Sequence, residues 1–505
     1  NRMNVYTVGR ATQGFADYLN AHFENPSVAI ARDSRNNGEL FVRTAAAIFA
    51  ANGVHAYVYP RISPVPTLSW AVRDLGCSGG VCVTASHNPA AYNGYKAYGP
   101  DGCQITSEAA AAISAAIEGT DLFSGVKSVD FDATLAKGDI TWIDDAVLER
   151  YFDAVLSKSV SNLSADEVAK APLKLVYTPL NGTGLVPVTT VLERAGVTDI
   201  TVVPEQRDPD GDFPTCTYPN PEIREAMQKG IELCERVHPD LLLATDPDAD
   251  RVGVAVKDGE DYLLLTGNEM GVLLLDYICR MRADRGEDLA EKVAVTTIVS
   301  SAMVDALAAK YGFELRRCLT GFKYIGDIIT ELADAGQADR FIFGFEESYG
   351  YLSGDHVRDK DAVNASLLIC QMAQSYKLQG KNLADAMRDL YAEHGYWLNR
   401  TVSVSYPGAE GAAAMAAIME RLRAEAPSEV AGLTVEGVID YEDAGTGLPP
   451  ANVVELRLAG GNKAIVRPSG TEPKIKLYVF AKDNTREGAE ALLDSIEASG
   501  RKLLA

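Results

Sequence analysis

Three times along this chain a short apolar run stops at a loop rich in Gly, Asp, Ser or Thr and gives way to an Ala- and Leu-rich helical stretch. This alternation constrains the fold more than any other feature, because strand-length β-branched runs separated by helical periods assemble as α/β layers. The first unit predicts a strand from Val28 to Asp33, a helix from about Glu39 to Ala51 with Gly53 at its C′ position, and a strand Gly80-Val81-Cys82-Val83. The second offers apolar runs at 173–180, 200–203 and 241–245, and the third at 293–298, 314–319 and 340–343. In such sheets the loops at strand ends carry the chemistry. The last hundred residues differ: strands near 397–405, 452–458, 462–467 and 474–481 interleave with helices near 409–425 and 485–500, which reads as a smaller α+β domain. The expected architecture is three similar α/β sheet domains, 1–157, 158–262 and 263–393, followed by the C-terminal domain 394–505. The Ala-rich helices, Ala109 to Ala116 and Ala409 to Leu422, are read as packing faces.

Length supports this division, since 505 residues exceed what one core sustains. A net charge of −23 argues against nucleic acid and anionic membranes as partners, so a phosphate-bearing ligand needs locally concentrated Lys and Arg. No apolar run reaches membrane-spanning length. Eight cysteines without Cys-x-x-Cys spacing fit a reducing cytoplasm. Asn1-Arg2-Met3-Asn4 has neither an initiator Met at position 1 nor an apolar signal region, which suggests a start inside a longer polypeptide.

Four loops stand out. Thr84-Ala85-Ser86-His87-Asn88-Pro89 ends the strand before it and displays a serine beside a histidine, while Asn93-Gly94 is a hairpin signal that returns Lys96 toward them. Alone, Ser-His before Pro is more often a capping turn than a catalytic device. Asp246-Pro247-Asp248-Ala249-Asp250-Arg251 places three carboxylates at alternate positions, where they can face one hard divalent cation. An EF-hand is excluded, because Arg251 and Lys257 stand where Gly and Glu are needed and a strand leads in. A solvated acidic turn is the bland alternative. Mg²⁺ is the expected ion, since three protein ligands leave coordination open for a phosphate oxygen. Arg467-Pro468-Ser469-Gly470-Thr471-Glu472-Pro473-Lys474 suits a phosphate dianion, or is an ordinary polar hairpin turn. Gly344-Phe345-Glu346-Glu347-Ser348-Tyr349-Gly350, with Asp355-His356-Val357-Arg358-Asp359-Lys360-Asp361 close behind, can hold sugar hydroxyls beside a basic group for a phosphate, or the second stretch is surface salt bridging. Thr320-Gly321-Phe322-Lys323 is a weaker candidate for a further substrate loop.

In this order the four loops resemble the α-D-phosphohexomutase superfamily, the phosphoglucomutases and phosphomannomutases, over almost the whole chain. Arg10-Ala-Thr-Gln-Gly14 and Gly321-Phe-Lys-Tyr-Ile-Gly326 look most like its long bacterial phosphoglucomutase branch, which includes phosphopentomutase relatives. The resemblance implies that Ser86 carries the transferable phosphoryl group and joins Asp246, Asp248 and Asp250 in binding Mg²⁺. It implies that Arg251 steadies the phosphoserine, that His87 and Lys96 handle protons, and that Glu346 and Ser348 hold sugar hydroxyls. Arg467, Ser469, Gly470 and Thr471 would bind the distal phosphate, with Thr320, Gly321 and Lys360 completing the substrate site and His356 and Arg358 as further additions.

The implied reaction interconverts glucose 1-phosphate and glucose 6-phosphate through glucose 1,6-bisphosphate as activator and intermediate, with mannose or pentose phosphates as alternative substrates. A metal-dependent serine phosphatase and a non-catalytic phosphosugar-binding protein are the competing classes. A monomer or homodimer is expected. Two departures from the family pattern stand out. The usual Gly-Thr-x-Gly-x-Arg-Gly strand would precede residue 1, and Asn181-Gly182-Thr183-Gly184 stands where this branch commonly has His before the Gly.

Overall fold

The computed structural model describes residues 3–105, 107–469 and 473–504, apart from the side chains of residues 107 and 409. It divides into two compact units, residues 1–295 with 321–384, and residues 296–320 with 385–505.

In the first unit, one sheet runs in the order Tyr95–Tyr98, Gly79–Val83, Ser27–Arg32, His55–Val58, Ile140–Trp142. All its neighbours are parallel except the first pair. Gly79–Val83 is buried at every position, as a strand covered on both faces requires. Its hydrophobic core joins Val28, Ile30, Val81 and Val83 to Phe15, Phe41 and Phe49 from the flanking helices Val5–His22 and Gly38–Ala51. The second sheet runs Asp261–Leu265, Val252–Asp258, Leu241–Thr245, Lys174–Thr178, Asp199–Val202, with the first two pairings antiparallel. Of the third theme, Phe341–Glu346, paired antiparallel with Gly350–Leu352, belongs to this unit, whereas Val293–Thr297 crosses its boundary and Glu314–Cys318 belongs to the second unit.

The expected strands are therefore present within a residue or two at most ends, and Gly53, at φ +75°, follows its helix as anticipated. Two local readings need correction. The strand expected to stop at Phe343 continues through Gly344 and Phe345 to Glu346, because those residues pair with Tyr351 and Leu352. Asn93-Gly94 does sit in a hairpin, with Cys82 opposite Lys96, but the connection is the whole segment 84–94. Gly94 is needed there for close approach, since a Cβ would lie 2.3 Å from the Thr84 carbonyl oxygen.

The second unit carries a six-stranded antiparallel sheet in the order Tyr396–Ser405, Lys474–Asp483, Asn462–Pro468, Val454–Leu458, Leu433–Asp440, Glu429–Val430. Helices Gly408–Ala424 and Arg486–Leu503 cover it with Ile418, Met419, Leu422, Leu493 and Ile496. Strand Leu433–Asp440 had no counterpart among the expected elements. All eight cysteines are free thiols. Among the described residues no helix is long and apolar enough to cross a membrane.

Candidate active site

Strand Gly79–Val83 delivers its chain into a loop that the rest of the first unit holds from several sides. Ser86 has φ +50°, a left-handed conformation that costs a residue with a Cβ about 1 kcal/mol or more, so it persists only when its surroundings over-determine it. The determinants are visible. The Ser86 amide donates to Thr84 Oγ1 at 2.8 Å, and that hydroxyl turns its own proton toward Asp33 Oδ2 at 2.6 Å and Asp248 Oδ2 at 3.1 Å. The buried Arg35 guanidinium donates to the carbonyl oxygens of Ser86 (2.6 Å), Pro89 (2.9 Å), Tyr92 (2.8 Å) and Asn88, and pairs with Asp33 at 3.2 Å. One side chain thus satisfies four carbonyls of an irregular loop that helix or sheet bonding cannot reach.

The strand Leu241–Thr245 brings in the carboxylates. Asp246 Oδ1 accepts from the amides of Asp250 (3.1 Å) and Arg251 (3.0 Å), which frees Oδ2 to accept from Ser86 Oγ at 2.7 Å. Lys96 Nζ donates to Asp248 Oδ2 at 2.8 Å and lies 3.4 Å from Asp250 Oδ2, while Lys360 Nζ lies 3.2 Å from the same Asp250 oxygen and 3.0 Å from Asp359 Oδ1. Oxygens from Asp246, Asp248 and Asp250 lie within 4.8 Å of one another, and all three residues are buried. Among the described residues, Asp248 Oδ1 and Asp250 Oδ1 are buried without a hydrogen-bond partner. Around this point the side chains of Asp33, Asp246, Asp248, Asp250, Asp359 and Glu346 face Arg35, Lys96, Arg251 and Lys360. With Glu222, which stands 3.6 Å from Arg251, carboxylates outnumber cations at this point, and an all-oxygen donor set suits a hard ion. These residues can bind a metal.

The electrostatics agree. Burial, then repulsion from Asp248 and Asp250, pushes Asp246 well above the ordinary carboxylate range. Burial also opposes ionisation of Asp250, but Lys360, Lys96 and Arg251 outweigh it and hold that group low. Burial pulls the Lys96 ammonium down, yet Asp248, Asp250 and Asp359 more than reverse this and keep it charged. For His87, burial and then the Arg251 guanidinium drive the pKa down to about 2, so the imidazole 3.3 Å from Ser86 Oγ is neutral. It cannot serve as a strong base toward Ser86.

Glu346 ends its strand buried, and burial raises its pKa against the pull of Lys360 and Arg251. Arg251 forms a backbone bridge with Gly350 and has Glu222 at 3.6 Å and Asp250 at 3.7 Å from its guanidinium. Ser348 is half-buried in the turn that follows Glu346. Gly321, at φ +124°, is the N-cap of helix Phe322–Asp334, and Thr320 Oγ1, in the second unit, is buried without a partner among the described residues. Arg467 and Ser469 lie at the end of strand Asn462–Pro468, where the Ser469 amide donates to the Lys474 carbonyl at 2.8 Å. Gly470 and Thr471 fall outside the described residues.

The structure thus gathers Ser86, His87, Lys96, Arg251, the three aspartates, Glu346 and Lys360 in its first unit. His356 and Arg358 face elsewhere: His356 is 2.9 Å from Asp361, and Arg358 donates to the carbonyls of Asp355 and Val357, so both brace their own loop. Asn181 spends its amide on the carbonyls of Glu205 (3.4 Å) and Asp208 (2.8 Å). Sequence reading missed the parts played by Arg35, Asp33 and Thr84. The Arg32-Asp33-Ser34-Arg35 strand end carried the only available signal, charged residues on the exit of a buried strand.

Fold and loops together define a phosphohexomutase, one of the isomerases that transfer a phosphoryl group within a sugar phosphate. Profiles described as phosphoglucomutase/phosphomannomutase alpha/beta/alpha domains I, II and III and C-terminal domain match residues 1–123, 149–259, 266–394 and 415–498, and the chain belongs to this family, within the α-D-phosphohexomutase superfamily. It is 36% identical over 495 residues to a phosphoglucomutase of Staphylococcus epidermidis, covering 95% of this chain and 87% of that protein. A phosphoglucomutase/phosphomannomutase family protein from Burkholderia thailandensis shares the fold at a TM-score of 0.73 and 18% identity, over 99% of this chain and 93% of the other. The N-acetylphosphoglucosamine mutase of Aspergillus fumigatus, solved with GlcNAc-6P and magnesium, aligns at a TM-score of 0.52 and 16% identity, over 87% and 93%.

Proposed function

We propose that this protein is a phosphoglucomutase that uses Mg²⁺ and interconverts glucose 1-phosphate and glucose 6-phosphate. The observation that carries the reading is Ser86 Oγ held 2.7 Å from a carboxylate of a buried, cation-deficient aspartate cluster, in a chain 36% identical to bacterial phosphoglucomutases. Phosphorylated Ser86 gives its phosphoryl group to the free hydroxyl of the sugar monophosphate, forming glucose 1,6-bisphosphate. The intermediate turns around and returns its other phosphate to Ser86. Each step breaks one P–O bond and forms another, so serine alternates between ester and free hydroxyl and the protein is unchanged after a cycle.

Asp246, Asp248 and Asp250 would hold Mg²⁺ together with the Ser86 phosphate, and the ion would supply neutralisation of charge on the phosphoryl oxygens. Arg251 steadies the same group. Lys96 is assigned to proton transfer at the sugar hydroxyl; its carboxylate partners keep it charged, so it must exchange Asp248 for the substrate before it can accept a proton. Glu346 and Ser348 receive sugar hydroxyls, and Thr320, Gly321 and Lys360 contribute to the substrate site. Arg467 and Ser469, with Gly470 and Thr471, hold the phosphate that is not reacting.

The test is a side-by-side assay of glucose 1-phosphate, mannose 1-phosphate and ribose 1-phosphate with Mg²⁺ and bisphosphate primer. Highest kcat/KM is expected for glucose 1-phosphate, abolished in Ser86→Ala. A clear preference for the pentose overturns the substrate assignment, and release of inorganic phosphate faster than isomer formation overturns the mutase assignment.

A further inference from the structure

Away from the carboxylate cluster, the first unit has an open cleft of about 490 Å³ lined by Lys158, Arg282, Arg285 and Lys292 and by the two acids Asp339 and Asp355. In a chain of net charge −23 such a concentration of cations is anomalous. Their local partners do not account for all of it. Lys158 pairs with Asp355 at 3.0 Å, Lys292 with Asp339 at 3.4 Å and Arg282 with Glu287 at 2.7 Å. Arg285, however, bonds only to the Asn162 side-chain oxygen and the Ser161 carbonyl, so among the described residues its charge has no carboxylate opposite it. Arg282 Nε is buried and has no hydrogen-bond acceptor among the described residues.

The cleft is also mechanically joined to the catalytic cluster. Its floor includes Ser353, Gly354 and Asp355, the start of the segment that ends at Lys360 and Asp361. Gly354, at φ +81°, lies so close to the Lys158 side chain that a Cβ would come within 2.6 Å of it. Asp355 accepts from Lys158 through its carboxylate and from Arg73 (2.7 Å) and Arg358 through its carbonyl. A few residues on, Lys360 lies 3.2 Å from Asp250.

We propose that this cleft is a second anion site, which takes the phosphate group of a small phosphoester or polyphosphate, and that its occupancy is felt at the aspartate cluster through the segment Ser353–Asp361. The guanidinium of Arg285, which no described carboxylate faces, supplies charge-assisted donors, with Lys158 and Lys292 lining the same cleft. An anion there competes with Asp355 for Lys158, and the released Asp355 loosens the segment that carries Lys360. By linkage, any change the anion makes in affinity at the catalytic site is returned in equal measure to its own binding.

The test is calorimetric titration with inorganic pyrophosphate, and separately with ADP, in EDTA so that no divalent ion recruits anions to the aspartates. Two variants are compared with the unmodified protein: Arg285→Gln with Lys292→Gln, which removes cations, and Ala338→Glu, which adds a negative charge to the lining without removing a cation. Each is expected to bind pyrophosphate about tenfold or more weakly, the scale of losing a charge-assisted contact, with mutase turnover retained. In the unmodified protein, pyrophosphate is expected to speed amide hydrogen exchange in 353–361, and in the variants not to do so. Stronger binding of ADP than of pyrophosphate identifies a nucleotide as the source of the phosphate; equal binding identifies the phosphate group alone. Should the double variant fail to fold, Ala338→Glu decides. Variants that bind like the unmodified protein, no binding of either probe, or exchange in 353–361 that ignores the anion would overturn the proposal.

Discussion

Replacing Arg35 with Met should test the hold on the Ser86 loop, because Arg35 hydrogen-bonds to the backbone of that loop and to none of the side chains assigned to phosphoryl transfer, although its charge also faces Asp246 and Asp248. The side chain is 1% exposed, donates to four carbonyl oxygens between Ser86 and Tyr92, pairs with Asp33 at 3.2 Å and stacks over the Phe213 ring at 5.0 Å. Met fills much of the volume but leaves a buried carboxylate without its cation and strips the Arg35 donor from four carbonyls, of which Pro89 keeps the Tyr92 amide at 3.0 Å. Breaking a buried ion pair from one side costs about 3–5 kcal/mol. The carbonyl losses overlap with this figure, since the outward-facing ones regain water, so the same range serves for the whole substitution.

Freed from its turn, Ser86 no longer stands at a fixed distance from Asp246, and a displacement near 1 Å costs about a hundredfold in turnover. The variant is expected to show a lowered unfolding midpoint, faster amide exchange across 84–94, and kcat reduced about a hundredfold with a smaller change in KM. Adding Asp33→Asn removes the stranded carboxylate and should recover part of the stability without recovering kcat. Unchanged exchange in 84–94 and near-normal turnover in Arg35→Met would refute the clamp.

Three further outcomes follow from single contacts. Burial, and then Asp101, raises Asp327 to about 6. The folded state therefore binds a proton that the unfolded state has released between about pH 4 and 6, and stability falls as pH rises through that window. The full shift would be worth about 3 kcal/mol, but the group is only half-buried, so Asp327→Asn should stabilise the protein by about 1 kcal/mol at pH 7 and leave it unchanged at pH 4, read by urea unfolding at both values. A Cβ on Gly267 would lie 2.0 Å from the Glu347 carbonyl oxygen, so Gly267→Ala should push on the sugar loop and raise KM for the sugar phosphate more than it lowers kcat. Thr84→Val removes the acceptor of the Ser86 amide and should cost about 1–3 kcal/mol by calorimetry, with Thr84→Ser recovering most of it.

What could be read from the chain and what could not divide along a physical line. The Ser86 and Asp246–Arg251 loops were legible because each is contiguous and follows a buried apolar strand, and their functional groups are brought together by local geometry. Arg35 was not, because its acceptors are backbone carbonyls some fifty residues away, and no side-chain pattern marks a carbonyl. Lys360 read as part of the substrate site, but its contact with Asp250 was not legible, because it joins segments more than a hundred residues apart and no local pattern marks it. Strand Leu433–Asp440 escaped notice because exposed residues alternate along it and Gly437 interrupts its β-branched run, at a point where the pairing register with the neighbouring strand shifts. The extension of Phe341–Phe343 to Glu346 depends on a partner strand across the turn at Tyr349, where φ is +63°.

The central claim is that Ser86 is a reusable phosphate carrier, and peptide mass spectrometry of residues 84–94 tests it directly. After incubation with glucose 1,6-bisphosphate and Mg²⁺, one phosphate is expected on Ser86, discharged on adding excess glucose 1-phosphate. Mutase turnover with Ser86 unmodified throughout, or persisting in Ser86→Ala, would contradict the account.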